Sequence, residues 1–286
     1  MRRIFLCQLL LALTLCTSAR SFIKDSLLID GRVRHFLLYM PQGIQKDAPL
    51  VFCLHGYGGS PEKVDDVIAQ GADRHGFALC LPVGLKDPTG QPSWNVGYPM
   101  QKGWEVDDEE CVCRMARYVQ KKYHLSRRNT FFSGMSNGGE MCYLLAYSGQ
   151  KVFKAIGSIA GLTMQWIYEN RQVQHPVPFL EIHGTDDQIS LWEGDPENRG
   201  GWNPYMPVPV AVDALVKANQ CTRELTDTIT YPSRPLHRPI IRHKHLDGTG
   251  GTEVWLYEVI GAQHCYFIED MHTGDVLWEF FSKYVE

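Results

Sequence analysis

The sequence predicts an α/β fold: a mostly parallel, doubly wound sheet with helices on both of its faces. Three observations support this fold class. Short β-branched or aromatic runs alternate with amphipathic stretches of helical spacing, a Gly-x-Ser-x-Gly motif joins one such run directly to a helix, and polar residues follow several runs where each ends. In such a sheet the functional site lies beyond the carboxyl ends of the strands.

The strand and helix predictions follow from hydrophobic period and length. The predicted strands span residues 33–39, 50–54, 77–81, 130–133, 155–159, 179–182 and 253–259. The predicted helices span residues 63–74, 108–123, 137–147, 209–218 and 274–284. Because neither an internal repeat nor a low-complexity linker interrupts this alternation, we expect a single domain over residues 20–286.

The first 19 residues have the pattern of a secretory signal peptide. Arg2 and Arg3 precede the apolar run 4–16, and Thr17, Ser18 and Ala19 supply small residues for cleavage. The run is too short for a membrane span, so we expect no membrane-spanning segment after cleavage and a secreted or periplasmic protein. A lipoprotein anchored through Cys16 is the less favoured alternative, because the bulky Leu15 precedes it.

Composition argues against several classes of partner and cofactor. The formal net charge is −4, and loss of two arginines with the first 19 residues makes it −6, which gives no support for nucleic-acid binding. Seven cysteines remain in the exported chain, an odd number that leaves at least one unpaired. No cluster of residues has metal-ligand spacing, so neither a metal nor a cofactor is expected. The remaining histidines, such as His243 and His245, are interpreted as solvated residues of a basic loop.

The motif at residues 134–138 is interpreted as a nucleophile elbow. Such a turn forces the central serine, Ser136, into a strained conformation that exposes its hydroxyl. Gly134 and Gly138 are needed because a Cβ there would collide with the neighbouring strand or helix. The backbone N–H of Asn137 can help to hold an oxyanion, and the glycine-rich loop after the second predicted strand would supply a second donor from Tyr57.

An acid and a base follow the elbow in the order expected for an α/β-hydrolase. The turn after the sixth predicted strand contains Asp186 and Asp187, either of which could orient a histidine. His264 follows the last predicted strand and is the candidate base, although a lone histidine is more often a structural hydrogen-bonding residue. The order serine, aspartate, histidine favours the catalytic interpretation.

These motifs resemble secreted esterases of the polyhydroxybutyrate depolymerase/feruloyl esterase group, which overlaps carbohydrate esterase family 1. The resemblance rests on Gly-Met-Ser-Asn-Gly-Gly at 134–139, His-Gly-Tyr-Gly-Gly-Ser at 55–60, His-Gly-Thr-x-Asp at 183–187 and Gly-x-x-His at 261–264. It implies an α/β-hydrolase fold with Ser136 as nucleophile, Asp187 as acid and His264 as base. Cys-Tyr after His264 and the unmatched Cys221 depart from the group's pattern.

The resemblance implies a secreted serine esterase without metal or cofactor. Its expected substrates are feruloyl, or less favoured acetyl, esters on plant cell-wall polysaccharide such as arabinoxylan, including oligosaccharides. The alternatives are a polyester depolymerase of the polyhydroxybutyrate type or a general carboxylesterase and, from another class, a non-catalytic module that binds polysaccharide. The presence of all three candidate catalytic residues argues against the non-catalytic module.

Aromatic residues near the predicted site are candidates for substrate binding. Trp192, Trp202 and Tyr205 lie on a loop rich in proline and glycine after the acid, and Trp94 could line the opposite wall. Aromatic faces suit stacking on a sugar ring or a phenolic acyl group. Packing of the loop onto the body of the enzyme explains the same residues equally well.

Overall fold

The computed structural model describes residues 20–286, with the exception of the side chains at positions 63 and 65–67. The predicted signal peptide, residues 1–19 with Cys16, lies outside the described part. Within the described part no helix is both long enough and apolar enough to cross a membrane.

A ten-stranded sheet forms the centre of the molecule, in the order β1-β2-β4-β3-β7-β8-β9-β12-β11-β10, and β5 and β6 form a separate two-stranded pair. The six central strands from β4 to β12 are parallel, and two antiparallel strands are added at each edge. The strands are β1 (Phe22–Ile29), β2 (Arg32–Tyr39), β3 (Leu50–Leu54), β4 (Ala78–Pro82), β5 (Leu85–Lys86), β6 (Pro92–Ser93), β7 (Thr130–Met135), β8 (Ile156–Ile159), β9 (Phe179–Gly184), β10 (Arg223–Ile229), β11 (Ile240–Leu246) and β12 (Val254–Val259).

Helices cover both faces of the sheet. They are α1 (Glu62–His75), α2 (Asp108–Lys122), α3 (Asn137–Ser148), α4 (Gln165–Asn170), α5 (Val208–Asn219) and α6 (Thr273–Ser282). Helices α1 and α6 pack in the apolar core on one face, and α2, α3, α4 and α5 pack in the core on the other. The described part of the chain therefore has the predicted doubly wound α/β fold.

Local sequence explains why these elements begin and end where they do. Every residue of β3 and β7 is buried, as expected for central parallel strands with helices on both sides. The Asp107 side chain caps α2 by accepting a hydrogen bond from the Glu110 N–H, and Lys121 and Lys122 lie in its last turn. Gly76 and Gly149 end α1 and α3 in left-handed conformations.

All seven predicted strands and all five predicted helices are present, with bounds shifted by at most two residues. The interpretation of His243 and His245 as part of a basic loop is wrong, because both lie within β11. The prediction also missed β1, the two-residue strands β5 and β6, β10 and the short α4. The exposed edge strand β10 carries little apolar signal, since six of its seven residues are exposed. Each cysteine in the described part of the chain is a free thiol.

Candidate active site

The elbow joins β7 to α3 at Ser136, and its geometry is that of a strained turn. Ser136 has φ 55° and ψ −121°, a combination that non-glycine residues rarely adopt. Its N–H is fixed by the Ile159 carbonyl at 2.9 Å. A Cβ on Gly134 would lie 2.3 Å from the Gly138 oxygen, and one on Gly138 would lie 2.5 Å from the Leu54 oxygen. The prediction that both positions require glycine is confirmed.

Asp187 and His264 are brought together from two loops at the same end of the sheet. Asp187 follows β9, His264 follows β12, and the His264 Nδ1 lies 2.6 Å from Asp187 Oδ2. The other carboxylate oxygen accepts hydrogen bonds from the N–H groups of Ile189 and Ser190, both at 2.8 Å. Asp186 is exposed, so the aspartate that contacts the histidine is Asp187. This carboxylate is buried and both of its oxygens have hydrogen-bond partners, which suits it to orient an imidazole.

The loop after β3 lies directly against the elbow. A Cβ built on Gly56 would lie 3.1 Å from the Ser136 Cβ, so the residue that precedes Tyr57 lies close to the serine. His55 fixes this loop: its Nε2 accepts a hydrogen bond from the Gly84 N–H at 3.0 Å, and its Nδ1 therefore donates to the Gly56 carbonyl at 2.8 Å. Burial lowers the pKa of His55, in agreement with this neutral tautomer.

The side chain of Asn137 holds the opposite wall of the site. Its Oδ1 accepts from the Trp94 N–H at 2.7 Å and its Nδ2 donates to the Trp94 carbonyl at 3.1 Å. Because Asn137 is the first residue of α3, its own N–H has no acceptor within the helix and remains available at the elbow. The Trp94 indole is fully buried and donates to the His55 carbonyl at 2.9 Å. Trp94 thus connects the two loops that flank Ser136.

The four aromatic residues predicted to bind substrate differ in exposure. Trp202 is partly buried and contacts the Tyr57 and Tyr98 rings at centroid distances of 5.4 and 5.2 Å. Trp192 is also partly buried, and its ring meets the His183 ring edge-on at 6.0 Å. Tyr205 and Trp94 are buried, which does not support the substrate-contact prediction for these two rings. Burial instead indicates that they hold loops in place.

A protein-family model matches the part of the chain that contains the elbow. Residues 34–171 match the family model described as esterase PHB depolymerase. This stretch of the chain is therefore similar to an esterase family. Residues 34–171 include the Ser136 elbow and the Tyr57 loop, whereas Asp187 and His264 lie beyond them. The resemblance inferred from the motifs is confirmed.

Two curated relatives are similar to this chain in sequence. A bifunctional acetylxylan esterase/xylanase of Neocallimastix patriciarum is 23% identical over 231 residues, which cover 80% of this chain and 32% of the relative. A probable feruloyl esterase C of Aspergillus flavus is 25% identical over 183 residues, covering 60% of this chain and 63% of the relative. The chain thus spans about a third to two thirds of the length of these relatives.

Solved structures confirm the α/β-hydrolase fold. An acetyl xylan esterase from Aspergillus awamori superposes with a TM-score of 0.60 at 15% identity, covering 87% of this chain and 94% of that one. An S-formylglutathione hydrolase from Agrobacterium tumefaciens superposes with a TM-score of 0.59 at 12% identity, covering 94% of this chain and 98% of that one. At these identities the similarity establishes the fold alone.

Two buried polar groups near the candidate site were not anticipated from the sequence. Glu140, one turn into α3, accepts hydrogen bonds from the Tyr98 hydroxyl and, at 3.5 Å, from the Asn137 Nδ2. Burial outweighs these hydrogen bonds and raises the pKa of Glu140 to about 7. Its place four residues after Ser136 in an otherwise apolar helix was the available signal.

The second unanticipated group is a histidine between two carboxylates behind the candidate acid. His183 Nδ1 lies 3.0 Å from Glu181 Oε1, while its Nε2 lies 2.8 Å from the Ser190 carbonyl and 3.6 Å from Asp187 Oδ2. Burial alone would lower the pKa of His183, but its carboxylate neighbours, mainly Glu181, raise it above the ordinary value. The histidine before Gly184 in the motif was the available signal.

Proposed function

We propose that the chain is a serine carboxylic ester hydrolase that removes acyl groups from plant cell-wall polysaccharide. The observation that carries the proposal is the 2.6 Å contact between His264 Nδ1 and Asp187 Oδ2 at the sheet end that also holds the strained Ser136. Serine at an elbow, an imidazole and a buried carboxylate are the three groups that acyl transfer through an acyl-enzyme requires.

In the proposed reaction His264 removes the Ser136 proton while Oγ attacks the ester carbonyl. Asp187 holds the imidazole in the tautomer that accepts this proton at Nε2 and stabilises the imidazolium that forms. The N–H groups of Asn137 and Tyr57 bind the developing oxyanion, and each donor of this kind contributes about 3 kcal/mol. Alcohol leaves with the proton from His264, and a water activated by the same residue then hydrolyses the acyl-enzyme.

The proposed substrates are feruloyl or acetyl esters on a xylan such as arabinoxylan. Relatives named acetylxylan esterase and feruloyl esterase support this substrate class. The partly buried Trp202, packed on Tyr57 of the loop beside Ser136, supports an aromatic acyl group in preference to acetyl. Export through the signal sequence predicted in residues 1–19 completes the proposal, because a polymeric substrate cannot enter a cell.

The experiment that tests the proposal compares initial rates on methyl ferulate, 4-nitrophenyl acetate and acetylated xylan. We expect Ser136→Ala to abolish turnover of all three, whereas Ser282→Ala, an exposed serine at the end of α6, should retain the wild-type rates. Turnover by Ser136→Ala equal to that of the wild type would refute the serine mechanism.

The preference for an aromatic acyl group has its own test. Trp202→Ala should lower kcat/KM for methyl ferulate about fivefold and change that for 4-nitrophenyl acetate less than twofold, since loss of one aromatic contact is worth about 1 kcal/mol. Tyr168→Ala, an exposed aromatic on α4, is the control. An equal loss on both substrates would favour a packing role for Trp202.

A further inference from the structure

Helix α5 is the last helix on its face of the sheet, and two further strands, β11 and β10, extend beyond it. Helix α5 packs against β12 and β9, and β11 and β10 continue past it. The step between the helix and the uncovered strands forms a cleft of about 410 Å³. This volume lies within the range of about 300–1,000 Å³ in which proteins bind small molecules.

Strand register determines which side chains of β11 and β12 enter this cleft. His243 lies opposite Leu256 and Ile241 lies opposite Glu258 in the antiparallel pair. Because opposed residues share a face and every second residue returns to it, His243, His245 and Glu258 all point to the α5 side. The cleft therefore has imidazoles and a carboxylate on its strand wall.

The lining combines an apolar floor with hydrogen-bonding groups. The partly buried Trp192 and the buried Val212 and Leu256 form the apolar part. Burial lowers the pKa of His245, so its imidazole is neutral and can both donate and accept a hydrogen bond. It has no hydrogen-bond partner among the described residues, which leaves both nitrogens available for a ligand.

We propose that this cleft, called here the β11 cleft, binds one neutral pyranose unit of the polysaccharide chain outside the esterified unit. A pyranose has an apolar C–H face that fits the indole of Trp192, and hydroxyl groups that fit His245 and the carboxylates of Glu258 and Asp213. One oxygen of Glu258 lies 3.4 Å from His243 Nε2, and one oxygen of Asp213 lies 2.5 Å from Lys217 Nζ. Each carboxylate therefore keeps its other oxygen for a hydroxyl. The negative charge of these two groups disfavours a uronic acid. The inference rests on the proposed function for its substrate class.

The β11 cleft is linked structurally to the candidate catalytic residues. Trp192 lies between the cleft and the His183 ring, and Glu258 is the register partner of His183 on the neighbouring strand. His183 in turn contacts Asp187. A sugar unit in the cleft would thus lie beside the loop that carries the acid, where a chain extending from the ester would pass.

The direct test is calorimetric binding of xylotetraose and of trigalacturonate to the full chain. The double variant His245→Ala/Glu258→Ala should bind xylotetraose at least tenfold more weakly than the wild type, and trigalacturonate should bind neither protein. Thr228→Ala, on β10 outside the cleft, is the matched control and should keep wild-type affinity. Absence of wild-type binding to xylotetraose, unchanged affinity of the double variant, or a preference for trigalacturonate would overturn the inference.

A kinetic test separates this inference from the proposed function. On an esterified xylo-oligosaccharide the double variant should raise KM severalfold, with kcat/KM for 4-nitrophenyl acetate unchanged within twofold. An unchanged KM with a fully active wild type would refute the β11 cleft alone. A wild type inactive on every ester would refute the proposed function, and the calorimetric result would still decide whether the cleft binds a neutral sugar.

Discussion

Glu140 should make the protein less stable as the pH rises, and substitution of this one residue tests that expectation. The carboxyl group is buried under the elbow, and burial raises its pKa from 4.5 to about 7 despite hydrogen bonds from Tyr98 and Asn137. A carboxyl whose pKa is higher in the folded state contributes stability below its unfolded pKa and loses this contribution as the pH rises through the folded value. The affected range is therefore pH 4.5 to about 7.

The magnitude follows from the size of the pKa change. A rise from 4.5 to about 7 corresponds to about 3 kcal/mol of free energy of unfolding lost between pH 4 and pH 8. Glu140→Gln keeps an oxygen acceptor for Tyr98 and removes the titration. We expect the stability of the variant relative to the wild type to increase by about 3 kcal/mol between pH 4 and pH 8, as measured by urea unfolding at both values.

The matched control is Glu169→Gln, an exposed carboxylate on α4. Its stability relative to the wild type should be the same at pH 4 and pH 8. If the stability difference between Glu140→Gln and the wild type were independent of pH, the inference that Glu140 is protonated in the folded state near neutrality would be wrong.

Three further predictions concern the elbow and the acid. Glu181→Gln removes the carboxylate whose Oε1 lies 3.0 Å from His183 Nδ1 and which raises the pKa of His183, so the pKa of this histidine, followed by NMR, should fall; an unchanged pKa would contradict this. Asp187→Asn should lower kcat about 10⁴-fold in a nitrophenyl ester assay while leaving the thermal midpoint within a few degrees, and a loss below tenfold would exclude Asp187 as the acid. Gly138→Ala should lower the free energy of unfolding in urea by about 2 kcal/mol or more, because its Cβ would meet the Leu54 carbonyl at 2.5 Å; a neutral effect would mean that the turn can relax.

The central part of the fold was predictable because its signals are local. The buried strands β3 and β7 are continuous apolar runs, and α2 carries its cap and its charged ends in its own sequence. Edge strands lack such signals. Strand β10 is almost entirely exposed. In β11 charged residues alternate with histidines, and the histidines line the cleft beside α5. The pairing of β10 with β11, and of β11 with β12, is a tertiary effect that single-strand patterns do not encode.

The candidate site likewise has one part that the local sequence predicts and another that depends on distant contacts. The elbow glycines were predictable because their requirement arises within a turn of a few residues. The choice between Asp186 and Asp187 was not fixed by the turn itself, since both carboxylates lie there. It is fixed in the structure by contact with His264, which is 77 residues away along the chain. Only the family motif, and not residue chemistry, made that choice from the sequence.

The aromatic residues show why composition alone could not separate binding from packing. Tyr205 bridges Met164 and Asp195, and its hydroxyl accepts a hydrogen bond from the Leu191 N–H at 3.2 Å, so its burial follows from the loop folding back on itself. Trp202, three residues earlier, lies on the turn of the same loop and stays partly exposed against Tyr57. The two side chains have similar chemistry and differ only in which side of that turn faces the core. A residue's role on such a loop is therefore set by backbone pairing across the loop, which explains why the aromatic cluster could be located from the sequence while its members could not be assigned individually.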